Sequence, residues 1–109
     1  MGAECDVNIV NGYPNLINDD NITQKAKKLT EQYIGNENVI DMEVRMTAED
    51  FSYFALAYPS TMYRLGTSGK AENTNYPLHS AHFDIDESVL QFSHGLIAWI
   101  AANVSIKEQ

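Results

Sequence analysis

From residue 5 the chain alternates: Cys5, Val7 and Ile9 fall on one side, Asp6 and Asn8 on the other, the period-two signature of a half-buried strand. Asn11-Gly12 stops it, and Tyr13-Pro14 with the turn formers of residues 15–20 predicts a crossing between two structural units without regular hydrogen bonding. The period then lengthens to three and four. Ile22, Ala26, Leu29, Tyr33 and Ile34 make one stripe, with Lys25, Lys27 and Lys28 off it, and Asn21 with Gln24 resembles a capping box. An amphipathic helix to about Ile34 follows, with Gly35 as a left-handed cap.

Val39, Ile40, Met42, Val44 and Met46 predict a short buried strand. Thr47-Ala48-Glu49-Asp50 fits a capping box in which Thr47 accepts from the Asp50 N–H, opening a helix through Phe51, Phe54, Ala55 and Tyr58 that Pro59 closes. Residues 61–65 are β-prone and run into Gly66-Thr67-Ser68-Gly69, a flexible loop whose backbone amides could approach a ligand closely. After a further loop through Tyr76-Pro77, Asp84 and Glu87 make a third capping-type pair. The segment from Asp86 to about Ile106 then carries Val89, Leu90, Ser93, Leu96, Ile97, Ile100 and Val104 on one face, which predicts the longest helix. Strand and helix in alternation predict an α/β architecture, helices packed on a small mixed sheet.

A chain of 109 residues with 44% hydrophobic content suffices for one core. Its net charge of -8 argues against a nucleic acid or an anionic bilayer as partner. A single cysteine, Cys5, closes no intrachain disulfide, and neither a signal peptide nor a membrane-length apolar run is present, so a cytoplasmic location is expected. Asn21-Ile22-Thr23 and Asn103-Val104-Ser105 match the glycosylation pattern, which matters only in a secreted protein.

The histidines at 79, 82 and 94 are the candidates for metal ligation or proton transfer. His94 lies inside the last helix and reads as structural. His79 enters from a turn just before a helix, where functional residues collect. Joint ligation by His79 and His82 needs a helical backbone that the following cap argues against. Glu49 and Asp50 suit a first helical turn, where the helix dipole favours negative charge; the alternative is support of a metal-bound imidazole. No calcium loop, phosphate loop, dinucleotide fingerprint or serine elbow occurs, and Cys5 reads as a small hydrophobe.

Three blocks together carry a resemblance: Met46-Thr47-Ala48-Glu49-Asp50-Phe51-Ser52, Tyr63-Arg64-Leu65-Gly66, and Leu78-His79-Ser80-Ala81-His82-Phe83-Asp84-Ile85-Asp86-Glu87. They resemble the C-terminal part of the zinc-dependent amidohydrolases and exopeptidases that include aminoacylase, hippurate hydrolase and the auxin-conjugate hydrolases. The last block departs from the family pattern only at Ala81, where the family has proline. Gly12-Tyr13-Pro14 with Asn18-Asp19 is similar to the family's crossing from its lid domain back to its catalytic domain.

The resemblance implies that residues 1–14 are the last lid strand and crossing, and residues 15–109 the closing segment of the catalytic domain. It places a metal ligand at His79, supports for the metal shell at Glu49 and Asp50, and a substrate-lining loop at Gly66, Thr67 and Ser68. It implies zinc or another divalent metal, two ions in the intact parent, and hydrolysis of N-acyl amino acids or short peptides by metal-activated water. The remaining ligands and the general base belong to an N-terminal half outside this sequence, so neither a complete metal site nor activity is expected of the isolated chain. The alternative is a noncatalytic stand-alone module or gene remnant that binds a partner or pairs as a homodimer, for instance through residues 5–10.

Overall fold

In the computed structural model, which describes residues 2–69 and 72–104, two long helices carry the organisation. Helix α1 spans Asp20–Ile34, the short α2 spans Ser52–Ala57 and α3 spans Ser88–Val104. The amphipathic stripe predicted for α1 packs on α3: Ala26 of α1 and Leu96 of α3 are the buried apolar residues, and Leu96 is 1% exposed. Tyr33 joins the two helices, its ring 5.6 Å from Phe92 and 6.3 Å from Trp99. The Trp99 indole N–H adds a polar tie, donating to the Leu29 carbonyl at 3.0 Å. Helix α3 is the longest among the described residues, as its pattern predicts, although its start lies at Ser88 and Ile106 falls outside the described residues.

The caps differ from expectation in position. Asp19, and not Asn21, caps α1, its Oδ1 accepting the Ile22 N–H at 2.9 Å. Gly35 ends the helix at a positive φ of 88, but its ψ of 143 lies outside the left-handed helical region, in a conformation that glycine alone adopts readily. Helix α2 begins after Phe51, with no capping bond from Thr47; the cap position, Phe51, lies four residues beyond Thr47, out of reach of the predicted box, and the side chain of Glu49 accepts the Phe51 N–H at 3.3 Å. Tyr58 leaves α2 with extended backbone at φ −142 and ψ 146, the geometry a residue before proline prefers, so Pro59 closes the helix as predicted.

The expected helices on a mixed sheet are not found: no strand occurs among the described residues. A strand exists only as half of a hydrogen-bonded pair, and the three predicted segments are given no such neighbour. Residues 5–10 and 39–46 make no backbone ladder bonds, and in residues 61–65 the Met62 backbone is bonded by the side chain of Asn18, just ahead of α1, and not by a strand. Their apolar side chains are correspondingly uncovered, Val44 at 93% and Met46 at 98% exposure, where burial is predicted. One contact holds the second segment near α1, a Lys27 to Asp41 ion pair at 2.7 Å.

This leaves a loose molecule. Its radius of gyration is 18.8 Å, against about 13 Å for a compact chain of this length, and its accessible surface is 9694 Å², against about 6,000 Å² expected for a folded monomer of this mass. The α1–α3 pair is the organised centre, and much of the remaining apolar surface awaits a cover.

Candidate functional site

Two stretches flank the start of α3: the loop at residues 66–69 and the turn that carries His79. In the turn, the Ser80 N–H donates to the Pro77 carbonyl at 3.1 Å, which makes Leu78 and His79 its central residues. His79 has φ 69 and is the sole described non-glycine residue with a positive value. The third position of a type II turn demands that conformation and glycine usually fills it, so a histidine there holds local strain. Its imidazole is exposed and makes no hydrogen bond to a described residue.

The other two histidines are engaged locally. His82 stacks obliquely on Tyr76, ring centroids 5.4 Å apart, and its N–H donates to Ser80 Oγ at 3.1 Å. His94 Nδ1–H donates to the Leu90 carbonyl one turn back at 2.6 Å, in keeping with a structural histidine.

Glu49 is half-buried and acts as a cap. Its Oε1 accepts from Phe51, and its carbonyl accepts both the N–H and the hydroxyl of the fully buried Ser52, at 3.3 and 2.6 Å. Asp50 is exposed, and its carbonyl accepts the Tyr53 N–H at 3.1 Å. The structure does not gather Glu49 and Asp50 with His79: among the described residues no three His, Cys, Asp or Glu side chains converge on one point.

The loop is tied to α3. Thr67 is half-buried, and its carbonyl accepts the Asp86 N–H at 2.9 Å. Gly69 N–H donates to Oγ1 of Thr74 at 2.8 Å, and Thr74 is 5% exposed. Asp86 Oδ1 in turn accepts from the hydroxyl and the N–H of Ser88, at 2.6 and 3.0 Å, and these bonds hold its carboxyl below the usual carboxylate range. Ser68 is exposed. Gly66 lines an open cleft of about 560 Å³ with Leu65, Tyr33, Ile34, Asn38, Val89 and Phe92. Burial pushes the Tyr63 hydroxyl above its usual range, and the Asn18 amide is bonded to Met62.

Sequence reasoning passed over two of these residues. Asn18 counted as a turn former and as part of the crossing from the lid, and Asp86 as the start of the last helix and part of the Leu-His-Ser block, with no contact expected of either. The signal at Asn18 was an Asx side chain at an element boundary, whose amide can bond backbone; the Asp86 bond to Thr67 is made by its main chain and carries no residue-specific signal.

The chain is 34% identical over 101 residues to thermostable carboxypeptidase 1 of Saccharolobus solfataricus, covering 89% of the chain and 25% of the relative. It is 30% identical over 89 residues to IAA-amino acid hydrolase ILR1-like 4 of Arabidopsis thaliana, covering 82% of the chain and 20% of the relative. It is also 34% identical over 97 residues to N-acetyldiaminopimelate deacetylase of Halalkalibacterium halodurans, covering 85% of the chain and 24% of the relative. The chain thus spans about a quarter or less of the length of these relatives. No solved structure matches.

The class these relatives define is the hydrolases of amide and peptide bonds, in accord with the resemblance carried by the Glu-Asp-Phe-Ser and Leu-His-Ser blocks. Residues 3–101 match the profile of Peptidase family M20/M25/M40, and the chain belongs to that family. The family is generally metal-dependent. The donors present fit one ligand, the free imidazole of His79, and do not fit a whole catalytic zinc centre, which needs three protein ligands and an open position. No helix among the described residues is long and apolar enough to cross a membrane.

Proposed function

We propose that the chain is the C-terminal part of a metal-dependent amidohydrolase that cleaves N-acyl amino acids or short peptides through metal-activated water, and that it is inactive by itself. Residues 1–14 are then the end of a lid domain and residues 15–109 the closing segment of the catalytic domain. The family match over residues 3–101 carries this reading. The strained turn at His79 supports it, because strain of this kind is kept where a side chain must be aimed at a ligand.

A divalent ion, when bound, supplies a water acidic enough to act as nucleophile near neutral pH. The part of this chain is narrower. His79 offers one nitrogen donor, Glu49 and Asp50 stand as supports of the metal shell, and Gly66, Thr67 and Ser68 present backbone and hydroxyl groups to the substrate's carboxylate or amide. The location in the cytoplasm expected from the single cysteine belongs to this proposal too.

The test is hydrolysis of hippurate and N-acetyl amino acids by three proteins: the full-length protein, its His79→Ala variant and the 109-residue chain alone. Turnover is expected only from the first, and a fully active His79→Ala protein would sink the assignment.

The uncovered apolar surface favours a second reading, in which the chain by itself pairs with a second copy. Light scattering at high concentration separates them, since a monodisperse monomer speaks against pairing.

A further inference from the structure

Thr67 and Asp86 lie far apart in the chain, yet their backbones meet in a 2.9 Å hydrogen bond. Two residues on, Gly69 packs so closely on the Asp86 side chain that a methyl group at Gly69 would overlap its Oδ2, Cβ and Cγ. The carboxylate is fixed from the other side by both donors of Ser88, at the first residue of α3. Gly69 is fixed as well, through its N–H on the buried Thr74 hydroxyl. Loop and helix are therefore joined at one point. That point stands between the two walls of the cleft: Leu65 and Gly66 directly precede Thr67, while Val89 and Phe92 follow Asp86 on α3.

We propose that Asp86 is a positioning residue: its main-chain N–H holds Thr67, its carboxylate packs against Gly69, and together they set the spacing of the cleft between Leu65-Gly66 and α3 and seat the substrate on Gly66, Thr67 and Ser68. The substrate part rests on the function proposed above; the join does not. The carboxylate touches no reacting atom in this role. Losing it loosens binding and leaves the chemical step alone.

The experiment compares the full-length protein with its Asp86→Ala and Asp86→Asn variants, by steady-state kinetics on an N-acyl amino acid and by amide hydrogen exchange over residues 64–69 and at residue 86. Asp86→Ala is expected to raise KM about tenfold with kcat changed less than about twofold, and to lower protection of the residue-86 amide, whose bond to Thr67 the packed carboxylate supports. Asp86→Asn keeps an acceptor for Ser88 and the bulk against Gly69, so its KM stays within about threefold of the parent. An unchanged KM, or a fall confined to kcat, overturns the positioning role. Should Asp86→Ala fail to fold, Gly69→Ala displaces the same carboxylate from the opposite side and is expected to give the same rise in KM; an unchanged KM there also overturns the role. If the unaltered full-length protein hydrolyses none of these substrates, the functional reading falls and exchange decides the join alone: protection lost at the residue-86 amide in Asp86→Ala upholds it, and protection kept there overturns it.

Discussion

The side chain of Asn18 serves the backbone of Met62 as a neighbouring strand would: its Nδ2 donates to the Met62 carbonyl and its Oδ1 accepts the Met62 N–H, both at 2.9 Å. Directly after it, the Asp19 N–H donates to the Ser60 carbonyl at 2.8 Å while the Asp19 side chain caps α1. A third tie joins the Thr23 and Thr61 hydroxyls at 2.9 Å. The start of α1 is thereby fastened to residues 60–62, which lead into the loop at Gly66.

Asn18→Ala removes both bonds and leaves two partly buried backbone groups to find water. The expected loss is about 1 to 3 kcal/mol, two hydrogen bonds at their usual net worth. Asn18→Asp keeps the acceptor for the Met62 N–H but sets a carboxylate oxygen against the Met62 carbonyl oxygen, so it should cost at least as much. Denaturant unfolding measures the loss, and amide exchange at Met62 locates it, fast in Asn18→Ala.

Gly95 faces the hydroxyl of Tyr33 across the α1–α3 contact, where an added methyl group would overlap that oxygen. Alanine is better than glycine inside a helix by about 1 kcal/mol, so Gly95→Ala by propensity alone should stabilise. The displaced Tyr33 ring, however, loses its contacts with Phe92 and Trp99, each worth about 0.5 to 1.5 kcal/mol. The contacts outweigh the propensity, and Gly95→Ala is expected to lower stability by about 1 kcal/mol. In a Tyr33→Phe background the hydroxyl overlap is removed and the ring carbon remains at 3.3 Å, so the same substitution should cost clearly less. A double-mutant cycle by thermal or denaturant unfolding reads the difference.

Asp86 gives a pH signature. Its hydrogen bonds from the Ser88 hydroxyl and N–H favour the ionised form and depress its pKa in the folded chain. A depressed carboxylate contributes stability that is present above its unfolded pKa, about 3.9, and is lost as pH falls through the lower folded value. Carboxyl NMR titration of Asp86 should therefore show a midpoint below the ordinary aspartate range. Ser88→Ala removes the larger of the two hydrogen bonds, so the midpoint should move up in that variant, while a midpoint indifferent to Ser88 would contradict the cause given for it.

How much of this was legible in the sequence depends on the range over which the signal acts. Ala26, Tyr33 and Leu96 announced the α1–α3 pair because helix periodicity is written within one segment and both partners lie in this chain. Pro59 and Gly35 marked helix ends for equally local reasons, a forced φ and a φ open to glycine. Val7, Ile9, Val44 and Met46 carried the strand pattern just as plainly and stand exposed, because a strand's pattern states which face wants covering and not what covers it. The candidate site divides the same way. His79 was singled out from its turn, and the turn is there; the other members of a metal centre are not among the described residues that surround it. Asn18 and Asp86 escaped because their bonds reach across 44 and 19 residues of chain, to Met62 from the Asn18 side chain and to Thr67 from the Asp86 main-chain N–H, in residues that locally look like a turn former and a cap.

His79 offers the cleanest separation of stability from function. Its φ of 69 suits glycine and strains a histidine, and relieving such a position is worth about 1 to 3 kcal/mol, against about 0.4 to 1 kcal/mol lost to the glycine's extra freedom in the unfolded chain. His79→Gly should therefore leave the full-length protein as stable as before or more so, while His79→Ala keeps the strain and gains nothing. Both variants lose the imidazole. Under the function proposed above both lose hydrolysis together with one metal ligand, so zinc titration of the chelator-treated full-length protein should show weakened binding in each. Unfolding curves in the absence of metal then order the proteins as His79→Gly at or above the parent and His79→Ala at or below it. A His79→Gly protein markedly less stable than the parent without metal would show that the imidazole holds the turn together, and that its conformation serves the fold and not a ligand.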